Sequence, residues 1–408
     1  MRTPNSIIAL LVVHFFAAGV VYAGDSGAKF DKIVAFGDST TDTGNVSRAE
    51  CTSVPPFPPA AGFPLFWAPC TPLDPSTNLP AYFDDDLGDG FDGRLTNGPV
   101  WVEFLADALG VERPRPSAEY GTNYAHAGAK AGPDAVTGPG ADYNLQVNLF
   151  PGNPVPVPTE ACPQTSYDAN VPVCGSEVPL VNTQIKQYLE ATGGFTPRTL
   201  VVIWVGANDL RDVAIYDPSE SAIANVVTNL AKAVATAASA GARRIAVLNQ
   251  LNSARAPIVR AFCSESPSPS ECLAQFAAII RAFNVALGSA LKNLQQQLDQ
   301  EGLSATILPV DVFTVGELSV ELSELFGKPF ANTTEPALVP CPTEPPYPPC
   351  PKAPPYGVIA PNTEDYLFWD PIHPTERAHR IIAYRVCKTL DRQIKGLNPA
   401  CGKILRGI

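Results

Sequence analysis

Short runs of apolar residues alternate along this chain with longer stretches in which apolar positions recur every three or four residues. Lys32-Ile-Val-Ala-Phe36, Leu200-Val-Val-Ile-Trp-Val205, Arg244-Ile-Ala-Val-Leu248 and Ala305-Thr-Ile-Leu-Pro-Val-Asp-Val-Phe313 are of the first kind. They are apolar on both faces, which predicts buried strands, and Pro309 predicts an edge position for the last of them. Between Asn97 and Leu109, residues Trp101, Phe104, Leu105, Ala108 and Leu109 share one helical face, with Asn97 as the expected N-cap and Gly110 as the stop. Ile223, Val226, Val227, Leu230 and Val234 mark a second helix, and Leu273, Phe276, Ile280, Leu287, Leu291, Leu294 and Leu298 a long third one. The last runs from about Thr375 to Gln393, with Ala378, Ile382, Val386 and Leu390 facing inward. Both-face strands alternating with amphipathic helices predict an α/β fold, a doubly wound three-layer sandwich around a parallel sheet.

The first 23 residues fall outside this pattern. Arg2 is their only charge, Ile7 to Val21 is largely apolar, and Val21-Tyr22-Ala23 fits a signal-peptidase site. The expectation is a signal peptide at 1–23 and a secreted mature chain, 24–408, forming a single domain. No later segment reads as a membrane span, and no stable membrane insertion is expected. The ten cysteines then read as disulfides, neighbour with neighbour: 51–70, 162–174, 263–272, 341–350 and 387–401. The 43 prolines concentrate at 54–80, 151–179 and 336–361, which separates loops from the periodic core. A net charge of −12 argues against nucleic acid, whose phosphates call for Lys and Arg. The chain is expected to be a monomer.

Candidate chemistry sits where the strands end. Phe36-Gly-Asp-Ser-Thr-Thr-Asp-Thr-Gly-Asn45 turns sharply out of the first strand and presents Ser39 at the carboxyl edge of the sheet, where open α/β folds bind ligands. Trp369-Asp-Pro-Ile-His-Pro374 places Asp370 three residues before His373, a spacing that lets the carboxylate hold one ring nitrogen and leave the other for a hydroxyl. Taken alone, Asp370 and Thr375 also read as caps of that turn and of the following helix, and His379 reads as a surface residue. Trp204-Val-Gly-Ala-Asn-Asp-Leu210 brings the Asn208 amide to the same edge, a donor suited to an oxyanion. Gly121-Thr-Asn-Tyr-Ala-His-Ala-Gly-Ala129 is a small-residue run whose backbone can approach that oxyanion. Together these residues point to a serine ester hydrolase.

In this order the blocks resemble the GDSL, or SGNH, hydrolases, and Phe91-Asp-Gly-Arg-Leu-Thr-Asn-Gly-Pro-Val-Trp101 resembles the family's plant-type and secreted microbial branch. The resemblance implies a flavodoxin-like sandwich with five parallel strands and no metal or organic cofactor. It implies Ser39 as nucleophile, Asp370 and His373 as its partners, and the Ser39 and Gly128 amides with the Asn208 side chain as the oxyanion hole. Many relatives carry Gly-Gly where this chain has Ala127-Gly128. No Gly-x-Ser-x-Gly elbow surrounds Ser39, which disfavours the lipase-type α/β-hydrolase fold.

Asp38, Asp42 and Asp209 read as acceptors that brace the loops beside these blocks. Of the two glycosylation sequons, Asn332-Thr-Thr334 lies in an expected loop, whereas Asn45 reads as a tie for the nucleophile loop. Phe57, Phe63, Phe66 and Trp67 are candidates to line an acyl or sugar pocket or to pack under the 51–70 staple. The substrate is a carboxylic ester, of a lipid or of an acetylated carbohydrate. An acyltransferase with the same triad is the alternative within catalysis, and a non-catalytic binding or elicitor-like protein the alternative outside it.

Overall fold

A computed structural model describes residues 29–45, 94–132, 172–173, 176–177, 179–340 and 357–406. Strands β1 (Lys32–Gly37), β2 (Thr199–Trp204), β3 (Arg244–Leu248) and β4 (Thr306–Val310) form one parallel sheet in that order. Its register aligns Val34 with Val201, Val201 with Ile245, and Ile245 with Ile307. All six residues of β2 are buried, as its unbroken apolar run requires of a central parallel strand. Pro309 sits in the edge strand β4, as expected.

The fifth strand implied by the family resemblance is only partly realised. Residues 122–126 run parallel to β1 on its free side, with Ala35 N donating to Thr122 O, Tyr124 N to Ala35 O and His126 N to Gly37 O. The ladder stops at the single bridge Ala35–Asn123. A second bridge would need the Gly37 N–H, and Gln184 takes it: Gly37 N donates to Gln184 Oε1, and Gln184 Nε2 donates back to Gly37 O, both at 2.9 Å. The described sheet therefore has four strands plus an extended fifth segment.

The helices are α1 (Trp101–Leu109), α2 (Val181–Thr192), α3 (Ala207–Tyr216), α4 (Glu220–Ser239), α5 (Pro257–Ser264), α6 (Pro269–Gln300), α7 (Phe313–Phe326) and α8 (Glu376–Gln393). Alternate strand residues feed two cores. Val34, Phe36, Val201, Ile203, Ile245 and Val247 pack with α2, α4 and α6, while Ile33, Ala35, Leu200, Val202 and Ala246 pack with α1 and α8 on the other face. The α/β expectation and its three layers hold. Cys263–Cys272 joins α5 to α6, and Cys387–Cys401 ties α8 to the C-terminal turn. Closing loops of that length stabilises by about 3 kcal/mol each in the entropic account. The expected pairs 51–70, 162–174 and 341–350 lie outside the described residues, as do Phe57, Phe63, Phe66 and Trp67.

Four expectations need correction. Asn97 does not cap α1. Its Oδ1 accepts from Glu376 N at 2.7 Å, the first residue of α8, while α1 is capped by Glu103, which reaches back to Val100 N. Asn332 opens a short strand, Asn332–Pro336, paired with Tyr366–Phe368, and is not in a loop. The third correction concerns α6, which is long and apolar enough to cross a membrane by length and composition. In the fold, Phe276, Ile280, Phe283, Leu287 and Leu291 of that helix are buried in the core. Finally, His379 is not on the surface: it is 1 % exposed, on the side of α8 that faces α1.

Candidate active site

The chain leaves β1 in a tight turn. Thr41 N and Asp42 N both donate to Asp38 O, and the Asp38 carboxylate accepts from Thr40 N and Thr40 Oγ1. This Asx turn leaves Ser39 half-buried at the carboxyl end of the sheet. Gly37, the last residue of β1, leaves no room for a side chain, because a Cβ there would run into Trp204 O. Burial pushes the Asp38 carboxyl up to about 6, against the pull of its Thr40 bonds and of His373 nearby.

His373 and Asp370 form a buried pair. The His373 Nδ1–H donates to Asp370 Oδ2 at 2.6 Å, and the other carboxylate oxygen accepts from Ile372 N and His373 N, each at 2.7 Å. Trp369 N closes the turn on His373 O at 2.7 Å. A carboxylate on Nδ1 selects the tautomer whose Nε2 carries the lone pair, as a general base requires. The turn is held from outside as well, since Thr96 Oγ1 donates to Pro374 O at 2.8 Å. Among the described residues no hydrogen bond joins the Ser39 hydroxyl to the His373 ring. Catalytic contacts of this type are often long without substrate and tighten around it.

Ser39 and Asn208 open onto a common cavity of about 180 Å³. Ile372 and Pro374, the residues on either side of His373, are part of its wall. The rest is largely apolar, with Ile258, Val259, Val320, Phe330, Leu367 and Phe368 among the lining residues.

Asn208 stands in the first turn of α3, behind a Gly206 with φ of 129°, a backbone angle that disfavours any side chain. Its Nδ2 donates to Ala129 O at 2.9 Å, which uses one of two amide donors. Gly128 lies in a turn with φ of 82°, again glycine territory. Ala127 N donates to Asp42 Oδ2 on one side of it, and Ala129 N to His126 O on the other. Two more contacts fasten this loop to α3. Ala131 N donates to the Asp209 carboxylate, and Lys130, 2 % exposed, pairs with Asp212 at 2.6 Å. Burial pushes the Asp209 carboxyl up to about 7, with Lys130 and the Ala131 amide pulling down. Burial also works to raise Asp212, but Arg211 and Lys130 hold it below the usual carboxylate range.

The three bracing aspartates thus act as the sequence suggests. Asp42 also accepts from Gly44 N and Asn45 N. Asn45 is buried, and its Nδ2 donates to Asn123 O and Ala125 O at 2.8 Å each, the bonds of a loop tie. Lys130 and Gln184 have no counterpart in the sequence reading, which places His379 only on the surface. His379 Nδ1 accepts from Trp101 N at 3.3 Å, and Trp101 Nε1 in turn donates to Thr41 Oγ1 in the turn that carries Ser39. A lone lysine within the small-residue run Ala127–Ala131 was the available sign of a buried partner.

Residues 33–386 match the family model described as GDSL-like Lipase/Acylhydrolase. The chain belongs to this family. Similar proteins include the anther-specific proline-rich protein APG of Arabidopsis thaliana, 25 % identical over 369 residues, 85 % of this chain and 59 % of that protein. The chain thus spans less than two thirds of that relative. A GDSL esterase/lipase of the same plant is 23 % identical over 413 residues, 94 % of this chain and 97 % of the relative. Phosphatidylcholine-sterol acyltransferase of Aeromonas hydrophila is 24 % identical over 408 residues, 92 % and 95 % respectively. At the level of the GDSL family, ester hydrolysis or acyl transfer is the supported activity.

Proposed function

We propose that this protein is an exported serine hydrolase of lipid acyl esters, acting as one domain and without a metal or organic cofactor. Ser39 Oγ attacks the acyl carbonyl while His373 Nε2 takes its proton, and Asp370 holds the imidazole and stabilises its cation. The Ser39 and Gly128 amides, with the second Asn208 donor, receive the oxyanion. The tetrahedral intermediate collapses to an acyl-enzyme as the alcohol leaves with the His373 proton. Water, activated by the same imidazole, then releases the acid and restores Ser39. The two disulfides among the described residues support an oxidising compartment, and Asn332, at the start of its strand, remains the proposed glycan acceptor.

One observation carries the substrate class: the cavity shared by Ser39 and Asn208 is walled mainly by aliphatic and aromatic side chains. An acyl chain gains by entering it, whereas the polar groups an acetylated sugar needs, such as Arg211, Gln250, Asn252 and Glu317, make up the smaller part of this wall. Each methylene buried contributes about 0.8 kcal/mol, or about fourfold in kcat/KM. A para-nitrophenyl ester series from acetate upward should therefore climb about fourfold per methylene until the cavity is full. A maximum at acetate, together with deacetylation of acetylated xylan, would overturn the lipid reading. Acyl transfer is the second reading, favoured by the acyltransferase among the full-length relatives. Ester product formed when a competing alcohol is supplied would establish it.

A further inference from the structure

Helix α7 turns three leucines outward and two serines inward. Leu318, Leu322 and Leu325 are 49, 39 and 66 % exposed, whereas Ser319 and Ser323 are buried. The two serines satisfy their hydroxyls locally: Ser319 Oγ donates to Val315 O and Ser323 Oγ to Ser319 O, both at 2.7 Å, and Ser323 Oγ also accepts from Phe330 N. Leucines at positions i, i+4 and i+7 make one continuous stripe on the solvent side. The orientation is held, because Arg255 reaches both Glu317 and Glu324 at 3.4 Å, and a rotation that buried the leucines would break those pairs. Val315 and Val320 of the same helix line the cavity that Ser39 enters. One wall of the reaction cavity and the outer leucine stripe are thus two sides of a single helix.

We propose that α7 is the surface by which the protein docks on a lipid–water interface with zwitterionic headgroups, and this rests on the lipid-ester reading above. Position supports it, since docking through this stripe seats the cavity wall on the layer that holds the substrate. Length supports insertion only to the headgroup boundary, because the 14 residues of α7 are too few to span a bilayer. Charge selects the surface. Glu317, Glu321 and Glu324 are the only charged residues of the helix, and the whole chain carries −12, so an anionic leaflet repels it.

The test is flotation of the full chain with phosphatidylcholine vesicles, with and without phosphatidylglycerol. Ser39→Ala serves as the turnover-free background, and a Leu318→Ser, Leu322→Ser, Leu325→Ser triple variant is the probe. The expected result is binding to phosphatidylcholine that falls at least tenfold in the triple variant and weakens as phosphatidylglycerol is added. On a Ser39 background, the triple variant should hydrolyse soluble para-nitrophenyl butyrate within twofold of the unmodified protein, which shows that it folds. Equal vesicle binding with and without the leucines, or none at all, would overturn the proposal. So would a dimer in sedimentation that the triple variant dissolves, since the stripe would then be covered by a second copy. Leucine-dependent vesicle binding by a protein inert on every ester would uphold docking and sink the hydrolase reading instead.

Discussion

Replacing Asp370 by Asn isolates the role of the buried carboxylate with little change of shape. The wild-type group accepts from two backbone amides through Oδ1 and from the His373 ring through Oδ2. An Asn carbonyl can keep the amide bonds, so the turn survives and the thermal midpoint should move by only a few degrees. The ring then faces an NH₂ group, which favours the tautomer with its proton on Nε2, where a general base must have none. The imidazolium formed in the transition state also loses its counter-charge. At about 4 Å and an effective dielectric of about 20, that attraction is worth about 4 kcal/mol, or about three powers of ten in rate. Adding the tautomer effect brings the expected loss of kcat to about 10³–10⁴. The assay is steady-state hydrolysis of para-nitrophenyl butyrate, with circular dichroism to confirm the fold. KM should change little, because the carboxylate does not line the cavity. An Asp370→Asn enzyme within tenfold of wild-type kcat would refute the assignment of His373 as a base oriented by Asp370.

Three further predictions concern the supports of the site. Burial, aided by the charge of His373, lowers His379 from 6.5 to about 3, so between those values the unfolded chain binds the extra proton. The stability this contributes is whole above about pH 6.5 and is lost at up to about 1.4 kcal/mol per unit as pH falls toward 3. Asp38 and Asp209, raised to about 6 and 7, run the opposite way and gain stability on acidification. His379→Gln should therefore lose less stability than wild type between pH 7 and about pH 4.5 in urea titrations; an unchanged pH dependence would contradict the buried neutral imidazole. Lys130→Met leaves Asp212 with Arg211 alone and should destabilise by about 3 kcal/mol. It should also lower kcat more than it raises KM, as the Gly128 loop loosens from α3, and unchanged kcat would dismiss the lock. Gly37→Ala forces a Cβ against Trp204 O and should cost about 1–3 kcal/mol and displace Ser39; a variant as stable and active as wild type would show that the turn adapts freely.

The parts of this molecule legible in the sequence are those written in local pattern. Strands β1 to β4 are apolar on both faces, which water forbids outside a covered sheet, and α8 declares itself through Thr375, whose hydroxyl accepts from Ala378 N. Helix α7 is opaque for the opposite reason, since its leucines point outward and its serines inward, so apolar period and buried face disagree. Asn97 shows how proximity misleads: it lies before α1, yet its partner Glu376 is far along the chain. In the site, Asp370 and His373 are three residues apart, a spacing that permits the pair but equally suits a cap, so the other blocks are needed to read it. Gln184 on Gly37, Lys130 on Asp212 and His379 under Trp101 join remote segments, and nothing in either local sequence names the other. The incomplete fifth strand follows from one of these, because Gln184 takes the hydrogen bond that pairing alone would give to Tyr124 O.

In the proposed mechanism Ser39 is the one nucleophile activated by His373. Incubating the protein with an alkyl para-nitrophenyl phosphonate and mapping the adduct by peptide mass spectrometry tests it directly. One phosphonyl group per chain is expected, on Ser39, formed in step with loss of esterase activity and absent from His373→Ala. Activity lost with the adduct on another residue, or an undiminished rate of labelling at Ser39 in His373→Ala, would contradict it.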